Sequence, residues 1–317
     1  MRKINAKSLL KKGDFGLFIV ASILFLVLSF FSKSFLTSYN IFTVLRVLSL
    51  YIAIGLSQAF PIAIGNVNLS VGAIGGLATI TTGFFLQDLG TPGWLAVTMA
   101  LTVGVISGAL IGVLVAKAGM NSFVVTLSTL FIYTGLVLGL TKGFSFTDIP
   151  RSFTFMGKES FLNIPLLFYF IVFVLIICYL FFNHTTFGRR ILATGGDIEA
   201  AKLAGINTKM IVFSVHCMSG FMAALTGILY VSRIGTAQPA VGSEWLIVSF
   251  AVAIIGGTAL KGGYISPLGI LLGGIIMVLI NNGLILLKVS IYFQETFFGL
   301  LILLAISIDR IREIHRT

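Results

Sequence analysis

Ten runs of mostly apolar residues follow one another along this 317-residue chain, a pattern that no water-soluble fold can bury. They lie at 15–32, 41–62, 69–87, 93–116, 121–141, 163–182, 210–232, 244–260, 266–287 and 290–308. Most approach the ~20 residues an α-helix needs to cross the hydrocarbon core of a bilayer. Charged residues make up only 10% of the chain, whereas soluble domains carry about a quarter. The 35 glycines and 29 phenylalanines suit helices that approach closely on one face and meet lipid on another. The expected fold class is therefore an all-α integral membrane protein of about ten transmembrane helices, forming a single domain over 1–317.

The net charge of +11 resides in short loops and at the two ends. It reads as topology-setting charge, so no nucleic-acid partner is expected. With the N-terminus inside, the cytoplasm collects Arg2, Lys3, Lys7, Lys11, Lys12, Lys117, Arg189, Arg190, Lys202, Lys209, Lys261, Arg310, Arg312 and Arg316. Lys33, Arg46, Lys142, Arg151, Lys158, Arg233 and Lys288 fall outside or near the outer ends of spans. Fourteen of the 21 basic residues thus lie inside, which places both termini in the cytoplasm. The first apolar run lacks a small-residue cleavage site and reads as a retained helix. Cys178 and Cys217 lie within apolar runs, without the spacing of a metal site or redox pair.

Small-residue ladders at Gly104/Gly108/Gly112, Gly72/Gly76, Gly135/Gly139 and Gly269/Gly273 mark faces where helices can cross closely. "GGLATI…LVAKAGMNSFVVTL" and "GGTALK…LILLKVSIYFQETF" form a faint internal echo, whose halves would run in opposite directions as in inverted repeats. Two longer polar stretches interrupt the runs. The outer one, 142–162, is expected to be an ordered cap, and the inner one, 183–209, contains "TGGDIEAAKLAGINTK".

In that inner stretch Asp197 is a good N-cap, Glu199 stands in the first turn, Lys202 in the last, and Gly205 suits a left-handed stop. A two-turn helix over Asp197–Gly205 follows, about 10 Å long. Ile198, Ala201 and Leu203 offer it a small apolar surface with no partner in the chain's loops. Such a helix either lies flat on the membrane or docks into a soluble partner. No G-x-x-x-x-G-K-[ST] phosphate loop is present, so if the chain is a pump its motor is another polypeptide.

"NLSVGAIGGLA", "FGRRILATGGDIEAAKLAGINTKMI", "GTAQPAVGSE", "AIIGGTALKGG" and "LINNGLILLKVSIYFQETFFGLLILLAISID", in that order, resemble segments of the membrane permeases of ribose-type ABC importers. The resemblance covers roughly Phe35 to Asp309. It implies about ten spans in the arrangement of vitamin B12-type importers. The partners it implies are two cytoplasmic ATPase subunits, an extracytoplasmic solute-binding protein, and a second copy or a homologous permease, all among membrane lipids. It further implies no cofactor in this chain, ATP being bound by the ATPase subunits, and a coupling helix at Asp197–Gly205 that seats in the ATPase. Cargo in the family is usually a monosaccharide, sometimes autoinducer-2 and more distantly a nucleoside. Where the family commonly reads Gly-Ile-Asp-Leu-Ser-Val-Gly, this chain reads Asn66-Val67-Asn68-Leu69-Ser70-Val71-Gly72.

This polar turn raises a question at membrane depth, where irregular backbone survives only against protein or a water-filled cavity. Asn66, Asn68 and Ser70 either staple the turn or line a translocation path. Asn281 and Asn282, deep in the ninth run, are path candidates by the same logic, or hydrogen-bond between helices across a dimer. His216 is expected to be packed and hydrogen-bonded. Arg46, Arg233, Glu244 and Glu295 are placed at outer ends, where they anchor helices, and part of Arg233–Glu244 is available to a binding protein.

The reading is the transmembrane subunit of an ABC importer for a sugar or sugar-like solute, a transport subunit and not an enzyme. An ion-coupled secondary transporter is the rival from another class. It calls for a carboxylate or histidine near the midplane, and all ten acidic residues are expected in loops or within about two turns of span ends. A membrane-embedded enzyme finds no His-x-x-x-His, Ser/Lys or paired-Asp arrangement within the spans.

Overall fold

A computed structural model of the protein describes residues 12–290, 293, 296–300 and 303. Helices dominate it. α1 (Lys12–Phe31), α2 (Ser38–Ile62), α3 (Val71–Gln87), α4 (Gly93–Ala116) and α5 (Ser122–Thr141) form the first half. An outer cap follows, made of α6 (Arg151–Lys158) and a hairpin of β1 (Ser160–Phe161) with β2 (Ile164–Pro165). Then come α7 (Leu166–His184), α8 (Thr186–Gly196), α9 (Ile198–Leu203), α10 (Thr208–Ile234), α11 (Trp245–Ile255) and α12 (Pro267–Leu286).

Side-chain caps fix several of these starts. Thr185 accepts from the Gly188 amide at 3.0 Å, Asn207 from Met210 at 3.1 Å, and Ser266 from Gly269 at 3.0 Å, with Pro267 in the first helical position.

Among the described residues seven helices are long and apolar enough to cross a membrane: α1, α2, α4, α5, α7, α10 and α12. The tenth expected crossing falls mostly outside the described residues, as do both chain ends. Two expected crossings come out shorter. The run 69–87 folds as the 17-residue α3, and 244–260 yields only the 11-residue α11. At 1.5 Å per residue α11 is about 16 Å long, roughly half the hydrocarbon core. Its limits have local causes. Pro239 and Gly242 (φ +96°) precede it, and Gly257 (φ +75°) turns the chain out of the helix just after it.

The core surrounds α2 and α10, which run antiparallel: the Arg46 side chain reaches the Arg233 carbonyl at 2.6 Å, while Asn66, just past α2, lies beside His216. α10 packs against α3 and α4, and α2 against α11 and α12, so each long helix covers the opposite half of the chain. The halves share a plan of long helix, irregular segment, short helix and long helix, with inverted direction. The register differs from the echo read in the sequence. Gly75-Gly76 lies inside α3 whereas Gly256-Gly257 follows α11. The matching positions are instead Gly55 and Gly227, each seven residues before the end of its long helix and each in tight contact with the other half.

Three of the four glycine ladders are closed within the chain. Gly104, Gly108 and Gly112 lie against the α10 backbone between Phe213 and Gly220, and Gly269 and Gly273 against Gly256. Gly72 and Gly76 meet the carbonyls of Gly242 and Val241. The fourth, Gly135/Gly139 on α5, has nothing within 4 Å, so in this chain it makes no helix crossing.

Candidate functional site

The inner stretch folds as a bent pair of helices rather than a single peg. α8 precedes the expected helix and runs straight into α9. Asp197 ends one and caps the other: its Oδ1 accepts from the amides of Glu199 at 2.9 Å and Ala200 at 3.0 Å. The end of α9 is a Schellman motif, with Gly205 N–H donating to Lys202 O (2.9 Å) and Ile206 N–H to Ala201 O (3.0 Å), and Gly205 at φ +78°. Glu199 and Lys202 pair at 2.7 Å on the exposed side.

The apolar surface expected on this helix divides in two. Ala201 is buried within the chain, which corrects the expectation that it lacked a partner, because the Schellman turn and the start of α10 fold over it. Ile198 stays 44% exposed and Leu203 91%.

Immediately before α9, the chain meets the ends of two other segments backbone to backbone. A Cβ at Gly195 would strike the Ala63 carbonyl oxygen and lie 2.6 Å from the Gly263 amide. One at Gly262 (φ +87°) would lie 2.6 Å from Gly195 O and 2.7 Å from Gly65 N. The Gly263 N–H donates to Ala63 O at 2.9 Å. The 183–209 stretch, the end of α2 and the loop after α11 therefore share one side-chain-free joint.

The polar turn after α2 resolves in favour of a staple. Asn68 is fully buried: its Nδ2 donates to Ser219 Oγ on α10 (2.9 Å), and its Oδ1 accepts from Ser70 N (3.0 Å) and Ser70 Oγ (2.7 Å). Ser70 is equally buried. Both side chains are thus hydrogen-bonded within the chain. Asn66 is half-buried, its Nδ2 3.5 Å from His216 Nε2. His216 is buried with Nδ1 lacking a partner, so the expected hydrogen bonding is met on one side of the ring only.

The bonding of Asn68 accounts for the departure from aspartate. An Asp oxygen can accept the same two bonds from Ser70, and the Ser219 hydroxyl can rotate to donate to the other oxygen. Asn68→Asp should leave thermal stability in detergent close to that of the unmodified protein. Asn68→Ala, which strands Ser70 and Ser219, should cost about 2 kcal/mol and lower the melting temperature measurably.

Asn282 has a partner within the chain. It exchanges two amide bonds with Asn40 of α2 (3.1 and 2.8 Å) and is buried between α1 and α2. Asn281, one position round the helix and half-buried, is left on a different side.

The third correction concerns the outer residues. The segment 235–244 descends along α3 instead of crossing the surface. It starts at Ala237, which bridges to Phe146 of the outer cap by two backbone bonds (2.8 and 2.9 Å) and lies against Gly83. It ends where Gly242 meets Gly72 in the first turn of α3. Glu244, itself exposed, therefore precedes α11 near the first turn of α3 and away from the outer cap. A Cβ at Gly75 would lie 2.6 Å from the Trp245 ring and 3.1 Å from the carbonyl of Ala223, halfway along α10. Trp245 and Tyr230 stack edge-to-face at 5.9 Å. The sequence reading missed this group, although a Pro and two Gly within ten residues of an apolar run signal an interrupted helix.

The family described as branched-chain amino acid transport system / permease component matches residues 40–306. The ribose import permease protein RbsC of Bacillus subtilis (strain 168) is 33% identical over 303 residues, 95% of this chain and 92% of that protein. The D-allose transport system permease protein AlsC of Escherichia coli (strain K12) is 33% identical over 95% of this chain and 92% of its own length. The L-arabinose transport system permease protein AraH of the same strain is 31% identical over 95% and 91%. No solved structure matches. A chain with these apolar helices, matched almost end to end by such proteins, belongs to the family of ribose-type ABC importer permeases of the bacterial inner membrane.

Proposed function

We propose that this chain is the transmembrane subunit of an importer that moves a monosaccharide, of the kind named for its relatives, at the expense of ATP hydrolysed by partner subunits. In this reading the chain crosses the membrane ten times with both ends in the cytoplasm, the last crossing being 290–308. α9 seats in a cytoplasmic ATPase through Ile198 and Leu203, with Asp197, Glu199, Lys202 and Gly205 holding its shape and Ala201 fixing it to the bundle. The glycine joint at Gly195 then carries the displacement to α2 and to the loop after α11, and the two inverted halves rock between inward and outward openings. A solute-binding protein delivers cargo on the outer side, against the cap at 142–162.

The observation that carries this reading is the exposed, doubly capped α9 set directly on a joint that contacts both halves. The open Gly135/Gly139 face of α5 supports a second copy or a homologous permease, since close helix crossing is what such a face permits.

Proteoliposomes holding the permease, its ATPase and its binding protein test it. Uptake of D-ribose, D-allose, D-fructose or L-arabinose should require ATP inside and persist without an ion gradient. Uptake driven by a proton or sodium gradient with no ATPase present would sink it.

A further inference from the structure

The hairpin that closes the outer cap holds apolar residues at its tip. β1 and β2 pair Phe161 with Ile164 across the turn Leu162-Asn163, and both turn residues have positive φ (+50° and +61°). Two successive left-handed residues are the backbone of a type I′ turn, which glycine and asparagine enter readily and leucine does not. Leu162 nonetheless occupies it, 77% exposed, and Phe161 beside it is 60% exposed. Contacts within the chain do little to offset the strain of a leucine there.

The tip is folded against α7. Phe161 lies edge-on to the Tyr169 ring, with centroids 6.3 Å apart, and the Tyr169 hydroxyl donates to the Phe161 carbonyl at 3.3 Å. Tyr169 heads a line of exposed side chains along one face of α7, followed by Phe173, Ile176, Ile177 and Leu180. α7 contains no glycine, alanine or serine. Its exposed face is therefore bulky throughout, unlike the small-residue faces at which membrane helices cross closely, and is of the kind that meets acyl chains.

Depth follows from length. The 19 residues of α7 extend about 28 Å at 1.5 Å per residue, close to the thickness of the hydrocarbon core. With so little length to spare, its first turn lies at the outer boundary of that core, and Tyr169 is the fourth residue of the helix. The Phe161 ring, at the level of Tyr169 and outside the helix, is then where aromatic side chains gather at membrane interfaces.

We infer that Phe161 and Leu162 are a membrane anchor: the hairpin tip folds over the outer end of α7 and inserts between headgroups and acyl chains of the outer leaflet. Held there, it fixes the height of the cap above the bilayer and is withdrawn from the surface that a solute-binding protein meets. The inference requires α7 to cross the membrane, with the cap outside, and is independent of cargo and motor.

The test uses the full-length permease in nanodiscs of phosphatidylethanolamine and phosphatidylglycerol. Cys178→Ala and Cys217→Ala remove the native thiols. A nitroxide is then attached at Leu162→Cys, with Phe173→Cys as the lipid-facing standard. At both positions collisions with molecular oxygen, which concentrates in the bilayer, should exceed those with a water-soluble nickel chelate, and position 162 should be the shallower. Phe161→Trp gives a reading without a label. Relative to the unmodified protein, the added indole emission should be blue-shifted and quenched more by lipids brominated near the glycerol than near the methyl end. Adding the solute-binding protein should leave both signals unchanged. A nitroxide at 162 that collides mainly with the nickel chelate, or an added indole that brominated lipid leaves unquenched, puts the tip in water and overturns the anchor. Shielding of position 162 from both reagents overturns it in favour of a second permease copy, and shielding only on addition of the binding protein overturns it in favour of that partner.

Discussion

Replacing Leu203 and Ile198 together with aspartate should strip the ATPase from the solubilised permease and abolish uptake, while the amount of permease in the membrane stays unchanged. The two side chains are 91% and 44% exposed, so their loss removes almost no packing within the chain. The helix itself survives, because Asp197, Gly205 and the Glu199–Lys202 pair hold it from both ends. Burying two carboxylates in an apolar groove costs several kcal/mol, far beyond what a transient interface of one short helix supplies. Co-purification and uptake should therefore both fall by about a hundredfold or more. Retained co-purification would remove α9 from the transmission pathway. Asp197→Ala provides the graded comparison: loss of two capping bonds should weaken coupling by about 1 kcal/mol, a several-fold effect.

Gly195→Val tests the other end of the lever, with a different signature. Its side chain has no room beside the Ala63 carbonyl and the Gly263 amide, so the coupling loop must move away from the end of α2. α9 lies on the far side of Asp197 and keeps its exposed face, so the ATPase should still bind and still hydrolyse ATP. Uptake should drop by about tenfold or more because the displacement no longer reaches α2 and the loop after α11. The informative measurement is the ratio of sugar moved to ATP consumed. Unchanged stoichiometry would show that force travels by another route, and loss of ATPase binding would show that the joint shapes the docking surface itself.

Several features were legible before any coordinates. Nine apolar runs became nine helices in the expected order, since lipid leaves a long apolar segment no other way to satisfy its backbone. The α9 caps were equally plain, because Asp197 and Gly205 act within a few residues of themselves. Long-range partners were not legible. A lone amide in an apolar run, as at Asn68 and Asn282, demands a partner, and the chain does not say where that partner is. Ser219 lies 151 positions from Asn68, and Asn40 lies 242 from Asn282. Gly135 and Gly139 carry the same spacing as Gly104 and Gly108, yet only the second pair meets a helix within this chain.

Residue type and local spacing thus determined that the chain is a helical membrane bundle, where most of its helices run, and how the cytoplasmic helix is capped, because hydropathy and capping act over one helix length. Tertiary structure alone decided which polar groups are consumed and which stay open. It turned "GTAQPAVGSE" along α3, stacked Trp245 on Tyr230, and brought Gly195 onto Ala63 and Gly263. Those contacts join segments far apart in the chain, and their geometry follows from how inverted halves pack across α2 and α10, which no single stretch of sequence encodes.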